Sequence, residues 1–320
     1  MLPRWSLSLL LISLAGCNHA TFPAKSHRTI LVVSVFPAYG NPVWTPDGAH
    51  IMFNHRPLAR IEEIPPGSGL FYYVPDSLGG VYTVDVNLLQ QRRINPQQLG
   101  DLELSSDGFL YYVESGQIWR AVVKADSFDV TSAVQVTNSP YGAFGPSVSR
   151  SGARLLYYVG SDPGAGVYVT GTSGGATREI GASGWLTPNW QPNDSAFAFV
   201  RPGSVVTNIA VVDTFGVSPV EINPNGSLPK WSPDGTRIAF LSRGGDLKTR
   251  DKLWIMNRDG SGIRQLTAES VLDAFNWSPD GTQIAYTRFS DNDTSYVNGT
   301  LWLVNPNTLD RRQVTFNPRP

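Results

Sequence analysis

Two segments near the C-terminus repeat each other almost residue for residue. Trp231-Ser232-Pro233-Asp234-Gly235-Thr236-Arg237-Ile238-Ala239-Phe240 returns 46 residues later as Trp277-Ser278-Pro279-Asp280-Gly281-Thr282-Gln283-Ile284-Ala285-Tyr286. A period of about 40–50 residues marks a stack or ring of like units, each burying its apolar face against its neighbours. Fainter copies lie upstream. Asn41-Pro42-Val43-Trp44-Thr45-Pro46-Asp47-Gly48 opens a first unit and Leu102-Glu103-Leu104-Ser105-Ser106-Asp107-Gly108 a second. Pro146-Ser147-Val148-Ser149-Arg150-Ser151-Gly152 opens a third, and Pro188-Asn189-Trp190-Gln191-Pro192-Asn193-Asp194 a fourth. With Trp231 and Trp277 the count is six; the first unit takes 60 residues and units two to five take 41 to 46.

Each unit has the same internal order. A short strand ends at Trp or an aliphatic residue, and a tight Pro-Asp-Gly turn follows. There Pro presets φ, Asp bonds nearby backbone and Gly takes a positive φ. A second strand returns (Arg237 to Leu241; Gln283 to Thr287), and a third follows a variable loop (Lys252 to Asn257; Thr300 to Asn305; Val167 to Thr170; Asn208 to Asp213; Ile118 to Val123). After a polar turn such as Arg258-Asp259-Gly260-Ser261-Gly262 comes a fourth (Ile263 to Thr267; Arg311 to Thr315; Val134 to Thr137). Period-2 alternation and β-rich composition support strands, and no segment sustains a 3.6-residue period. The expected fold is all-β, a six-bladed β-propeller of four-stranded antiparallel blades over residues 30–320. A β-sandwich matches the strand content but needs no sixfold copy of one four-strand pattern.

The Trp-Ser-Pro-Asp-Gly…Ile-Ala-Phe…Leu-Trp-Ile-Met-Asn…Gln-Leu-Thr pattern resembles the WD40-like propeller repeat of the TolB family. It covers nearly all of the chain after the first thirty residues, is strong in the last two units and degenerate in the second and third. The resemblance implies the propeller and says little of function, because propellers host many unrelated tasks. TolB proteins carry an additional α/β domain before the propeller, used in contacts with an inner-membrane partner. Here about a dozen residues separate Cys17 from the first strand, so that domain and a role in the Tol-Pal machine itself are not expected. Ile30 to Phe36 is β-prone; it is expected to latch onto the outer edge of the sixth blade or to replace Arg311 to Thr315 there.

The N-terminus reads as an export signal: Arg4, an apolar run from Leu7 to Leu14, then small residues. The run is too short to span a bilayer as a mature helix. Leu14-Ala15-Gly16-Cys17 resembles the lipobox of bacterial lipoproteins, which implies a signal peptide over 1–16, lipidation of Cys17 and a tether over 17–29. Cys17 is the only cysteine, so neither an intramolecular disulfide nor a cysteine zinc site is available. Asn18 where the family pattern would use Asp for inner-membrane retention points to the outer membrane, facing the periplasm. Net charge is −1 with scattered Lys and Arg, and no basic stripe supports nucleic-acid binding. The membrane is reached through the lipid alone.

Up-and-down connectivity puts the tight, repetitive turns on one face and the long, varied loops (about 54–80, 201–207, 243–251 and 288–299) with the blade linkers on the other. Variable loops on a repetitive scaffold carry binding, so the loop-rich face and its channel mouth are the candidate site. The linkers place Tyr39, Asn41, Asp101, Tyr141, Phe144, Trp185 and Asp273 there, with Glu103 just beyond. Exposed aromatics among acids suit a peptide or a glycan, although the same rings also suit packing between blades. One step before each repeat's Trp position stand Val43, Glu103, Ser147, Asn189, Lys230 and Asn276. Five of these are polar, and alternation turns the polar set towards the channel and Trp44, Leu104, Val148, Trp190, Trp231 and Trp277 towards the inter-blade core. Glu103 and Lys230 read as solvated charges.

Catalytic motifs are weak. Gly171-Thr172-Ser173-Gly174-Gly175 matches the hydrolase elbow but falls on a turn between strands, without the strand-to-helix context. His19 and His27 lie in the leader and tether. His50 and His55, five apart on one strand, face opposite sides, which disfavours a shared metal and with it a histidine-centred propeller lyase. Asp291-Asn292-Asp293-Thr294-Ser295 offers calcium oxygens without the spacing of a calcium loop. The expected function is a lipid-anchored envelope scaffold binding a protein or peptide, with no catalytic residue, metal or cofactor assigned. The alternative is a sugar-binding module or a glycan- or lactone-acting enzyme using Asp101, Glu103 and Asp273.

Overall fold

The computed structural model describes residues 31–32, 39–63, 65–67, 70–124, 127–160, 163–181, 184–203, 207–223, 225–243, 251–289 and 299–316. The signal segment, Cys17, the tether and the Asp291 to Ser295 loop lie outside these.

Six antiparallel sheets follow one another along the chain, each from one contiguous segment. Blade 1 is Tyr39–Trp44, His50–His55, Gly80–Asp85 and Gln91–Asn95; blade 2 is Glu103–Leu104, Phe109–Glu114, Gln117–Lys124 and Val134–Gln135. Blade 3 is Phe144–Val148, Arg154–Val159, Gly166–Gly171 and Arg178–Ile180; blade 4 is Leu186–Trp190, Ala196–Pro202, Thr207–Asp213 and Val220–Asn223. Blade 5 is Ser227–Trp231, Arg237–Ser242, Lys252–Asn257 and Arg264–Gln265; blade 6 is Ser270–Trp277, Ile284–Phe289, Thr300–Val304 and Arg311–Gln313. The only helical turn among the described residues is the short 3-10 segment Val130–Ser132. The fold is the six-bladed propeller, and third strands such as Lys252–Asn257 fall where the repeat places them.

Six apolar clusters fill the six seams. Val43 and Met52 meet Leu110 and Tyr112 between blades 1 and 2, and Tyr111 meets Leu155 and Tyr157 between 2 and 3. Leu156 and Val167 meet Trp190 and Phe197 between 3 and 4, and Ala198 and Ile209 meet Trp231 and Phe240 between 4 and 5. Ile255 meets Trp277 and Tyr286 between 5 and 6, and Tyr39, Trp44 and Phe53 meet Leu301 and Val314 between 1 and 6. The last seam closes the ring, and it does so without strand exchange. Blade 6 keeps its own outer strand, Arg311–Gln313, paired with Thr300–Val304. The expectation that the N-terminal strand would latch onto blade 6 is therefore corrected. Leu31–Val32 pairs in parallel with Leu70 and Phe71, in a small sheet with Leu58–Glu63 that grows from the first unit's long loop. That hairpin also explains why the first unit takes more residues than the others. Closure rests on packing and on bonds such as Thr287 Oγ1 to the Tyr39 carbonyl, 3.0 Å, and Trp44 Nε1 to the Asn276 carbonyl, 3.3 Å.

The repeated turn has a repeated physical reason. Thr45, Ser232 and Ser278 each donate a hydroxyl to the Asp two residues on, at 2.5, 2.5 and 2.6 Å. Gly48, Gly235 and Gly281 take φ of 71°, 69° and 71°. A Cβ on Gly281 would lie 3.5 Å from Pro233, and one on Gly235 3.6 Å from Pro192, so the proline of one turn rests on the glycine of the next. In blade 4 Asp194 adopts the left-handed conformation instead (φ 58°), and its carboxylate accepts the backbone N–H of Arg150 and Ser151 in blade 3, at 2.7 and 3.0 Å. Gly171 to Gly175 forms a turn closed by Gly174 N–H to the Gly171 carbonyl, 2.9 Å, between two strands of blade 3. It is not a nucleophile elbow.

Candidate functional site

The inner strands do not run straight. Their pairing shifts register between Gly40 and Val43, Phe144 and Ser147, Leu186 and Asn189, Ser227 and Lys230, and Val271 and Phe275. At the shift, Asn41, Gly145, Thr187 and Leu228 take left-handed backbone (φ 51°, 57°, 46° and 50°), and each is followed by proline. Proline offers no N–H to the ladder, and the bulge re-aims the chain. For β-branched Thr187 and bulky Leu228 that conformation costs on the order of 1–3 kcal/mol each. Left-handed backbone at the same station in four blades, strained at Thr187 and Leu228, fits a preorganised rim around one opening.

These stations line a cavity of about 110 Å³ on the axis of the ring, at the end where the inner strands begin. Asn41, Asp101, Tyr158, Thr187, Asn189 and Lys230 bring its polar atoms, while the prolines, Leu228 and Phe275 make it apolar between them. The inner strands begin on the face of the blade linkers and long loops, so the cavity is the channel mouth on the loop-rich side. Asp101 Oδ2 accepts the N–H of Gly145 at 2.9 Å, tying blade 2 to blade 3. The Thr187 hydroxyl oxygen is buried and has no hydrogen-bond partner among the described residues.

At the cavity floor Lys230 Nζ lies 3.7 Å from Glu103 Oε2. Blades 2 and 5 stand opposite each other in a six-membered ring, so the pair crosses the channel. The separation exceeds a hydrogen bond. Side-chain exposures are 25% for Lys230 and 16% for Glu103, so the expectation of solvated charges is corrected. Burial pushes the Glu103 carboxyl above its usual range, and Lys230 offsets only part of this. Burial, helped by Asp101, pushes the Tyr158 phenol up to about 12.

The other polar residues before the Trp position stitch blades together. Ser147 Oγ accepts the Trp190 N–H at 3.0 Å and Asn189 Oδ1 accepts the Trp231 N–H at 2.8 Å. Trp277 Nε1 donates to the Lys230 carbonyl at 3.0 Å. Trp44, Trp190, Trp231 and Trp277 are buried between blades, as alternation predicts.

Of the candidate residues, Asn41 and Asp101 line the cavity and Glu103 pairs beneath it. Tyr141 is 44% exposed and Phe144 is half-buried against Tyr158, ring centroids 6.0 Å apart. Tyr39 and Trp185 do not lie on the mouth surface. Tyr39 is 1% exposed, 5.5 Å from Phe53 between centroids, and burial lifts its phenol to about 12. Trp185, 4% exposed, stacks on Phe199 at 3.9 Å. Both fill seams, because at these positions the inner strand turns its large rings towards a neighbouring sheet. Asp273 belongs to Ser270–Trp277, and its side chain lies outside the described residues. Tyr158, Thr187 and Leu228 were not singled out from sequence. Thr187-Pro188 and Leu228-Pro229 share the repeat station of Asn41-Pro42, and that alignment is the signal that finds them. Among the described residues no three His, Cys, Asp or Glu side chains converge as a metal-ligand set.

Ring and mouth together define a six-bladed β-propeller with a small, mixed polar and apolar axial pocket. Among solved structures, the chain is similar to putative TolB from Agrobacterium tumefaciens, at 17% identity and TM-score 0.58 over 72% of this chain and 86% of that one. It is similar to TolB from Acinetobacter baumannii at 17% identity and TM-score 0.58, over 73% of this chain and 59% of that longer one. An oligogalacturonate lyase in complex with manganese matches at 15% identity and TM-score 0.54, over 86% and 77%. At such identities the likeness is one of fold. No protein-family model and no curated protein matches the sequence.

Proposed function

We propose that this chain is a lipid-anchored propeller of the bacterial cell envelope that binds an envelope protein or peptide segment at its loop-rich mouth. The observation that carries the reading is the axial cavity rimmed by left-handed residues at Asn41, Gly145, Thr187 and Leu228, a rigid socket sized for a side chain or a short extended segment. The TolB neighbours are compatible with such a scaffold. The anchor is Cys17, which with several acyl chains holds a protein stably where one chain holds it marginally. Cys17→Ala is expected to shift the protein from the outer-membrane fraction to the soluble periplasm, and retention of the variant in the membrane argues against lipidation. For the mouth, the test is a cross-linked pull-down from the native envelope beside a folded Asp101→Asn/Tyr141→Ala variant. A protein captured by wild type and lost in the variant supports the reading. Equal capture by both, or capture of none, contradicts it. The lyase neighbour motivates the glycan alternative, which wins if oligosaccharide binds the mouth and no protein does.

A further inference from the structure

Among the described side chains the cavity sets two carboxyl groups against one ammonium, and Asp101 is the one without a cationic partner. Asp101 lines the wall and Glu103 lies two residues further on, at the floor. Against these two carboxylates the described side chains bring one ammonium, Lys230, held 3.7 Å from Glu103. Among the described residues Asp101 has one hydrogen bond, from the Gly145 N–H to Oδ2. A carboxylate has room for several donors. Thr187, whose buried hydroxyl oxygen has no hydrogen-bond partner among the described residues, is itself a lining residue of the cavity. Between these polar atoms lie Leu228, Phe275, the ring of Tyr158 and four prolines. Apolar walls leading to a carboxylate match a cation on an aliphatic stem, the form in which Lys and Arg bury their methylenes while keeping the charged head paired.

We propose that the mouth pocket is a subsite for a single cationic side chain, a lysine or arginine presented by an extended segment of the partner, with Asp101 as its counter-ion. This deepens the scaffold reading above and rests on it for the partner. The incoming cation binds Asp101 and competes with Lys230 for the field of Glu103. Lys230 thus acts as a resident stand-in, which gives the proposal a sign that a structural role does not share: removing the Lys230 charge strengthens binding.

The test titrates full-length protein with Nα-acetyl-lysine methylamide and its uncharged isostere Nα-acetyl-norleucine methylamide, with Nα-acetyl-glutamate as the opposite charge, reading the Gly145 amide by NMR. The lysine probe is expected to saturate, with the norleucine probe at least about tenfold weaker and Asp101→Asn weakening the lysine probe by at least about tenfold, the size of one charge-assisted contact. Lys230→Met is expected to tighten the lysine probe. Should that variant be unstable, Glu103→Gln/Lys230→Met removes both members and must still bind through Asp101. Equal binding of the isostere, preference for the acidic probe, no response at Gly145, or indifference to Asp101→Asn each overturns the proposal. A captured protein partner that is indifferent to Asp101→Asn removes the cation subsite and leaves the scaffold standing, whereas lysine binding without any captured partner does the reverse.

Discussion

Trp231 and Trp277 occupy the same station in successive blades, are 6% and 5% exposed, and differ in their polar contacts. The Trp277 indole N–H donates to the Lys230 carbonyl across the seam at 3.0 Å, and the Arg237 guanidinium sits 5.4 Å from its ring centroid. The Trp231 indole N–H is buried without a hydrogen-bond partner among the described residues. Replacing each by Phe removes the same indole-to-phenyl area, on the order of 1–2 kcal/mol with its residual cavity. Trp277→Phe also breaks an inter-blade hydrogen bond, about 0.5–1.5 kcal/mol. Trp231→Phe removes a buried orphan donor whose desolvation costs about 1–3 kcal/mol, so part of its area loss is returned. Trp277→Phe is therefore expected to be the more damaging by at least about 1 kcal/mol. Urea unfolding followed by circular dichroism measures this as a larger fall in midpoint at unchanged slope. If Trp231→Phe costs as much as Trp277→Phe or more, the bonding assigned to these two seams is wrong.

The closing seam and the acid response give two further tests. Thr287 is fully buried and donates to the Tyr39 carbonyl at 3.0 Å, so Thr287→Val keeps the shape and is expected to cost about 1 kcal/mol in urea unfolding; no change would remove this bond from the account of ring closure. At Glu269 burial pushes the carboxyl up, but hydrogen bonds from Tyr286 (2.7 Å), its own backbone and Arg311 outweigh it, and the net shift is downward. A lowered folded value means that the stabilisation is complete above the ordinary glutamate range and is lost as pH falls through the folded value. Glu269→Gln is expected to flatten that acid limb in unfolding midpoints taken from pH 7 downward, and an unchanged acid limb would contradict the sign.

Much of the ring was legible because one local device recurs. Trp-Ser-Pro-Asp-Gly combines a seam-filling ring, a hydroxyl for the Asp carboxylate and a glycine on which the preceding proline rests, so each copy marks the end of an inner strand. The hairpin Leu58–Glu63 with Leu70–Pro75 reads as loop in the sequence, since it interrupts the repeat and has no counterpart among the described residues of the other units. Closure was misjudged because β-propensity in Ile30 to Phe36 says that a strand forms and not which edge it meets. Linker position alone puts Tyr39 and Trp185 at the mouth, but it does not imply exposure: rings at the start of an inner strand reach into the seam. Glu103 opposite Lys230 was readable in principle: opposite charges at one repeat station, three units apart, face each other in a ring of six. That inference needs the closed ring as its premise, and the repeat supplies it.

The central claim is that the mouth, and not the face of tight turns, is where the partner docks. A photo-reactive amino acid placed in turn at Tyr141, in the linker between blades 2 and 3, and at Thr236 and Thr282 on the turn face, in otherwise native full-length protein, tests it directly. Tyr141 is exposed by 44%, and Thr236 and Thr282 are exposed as well. The account predicts one discrete protein adduct from the Tyr141 position, reduced by Asp101→Asn, and none from the two turn positions. Adducts from Thr236 or Thr282 with none from Tyr141 would place the binding surface on the opposite side of the ring.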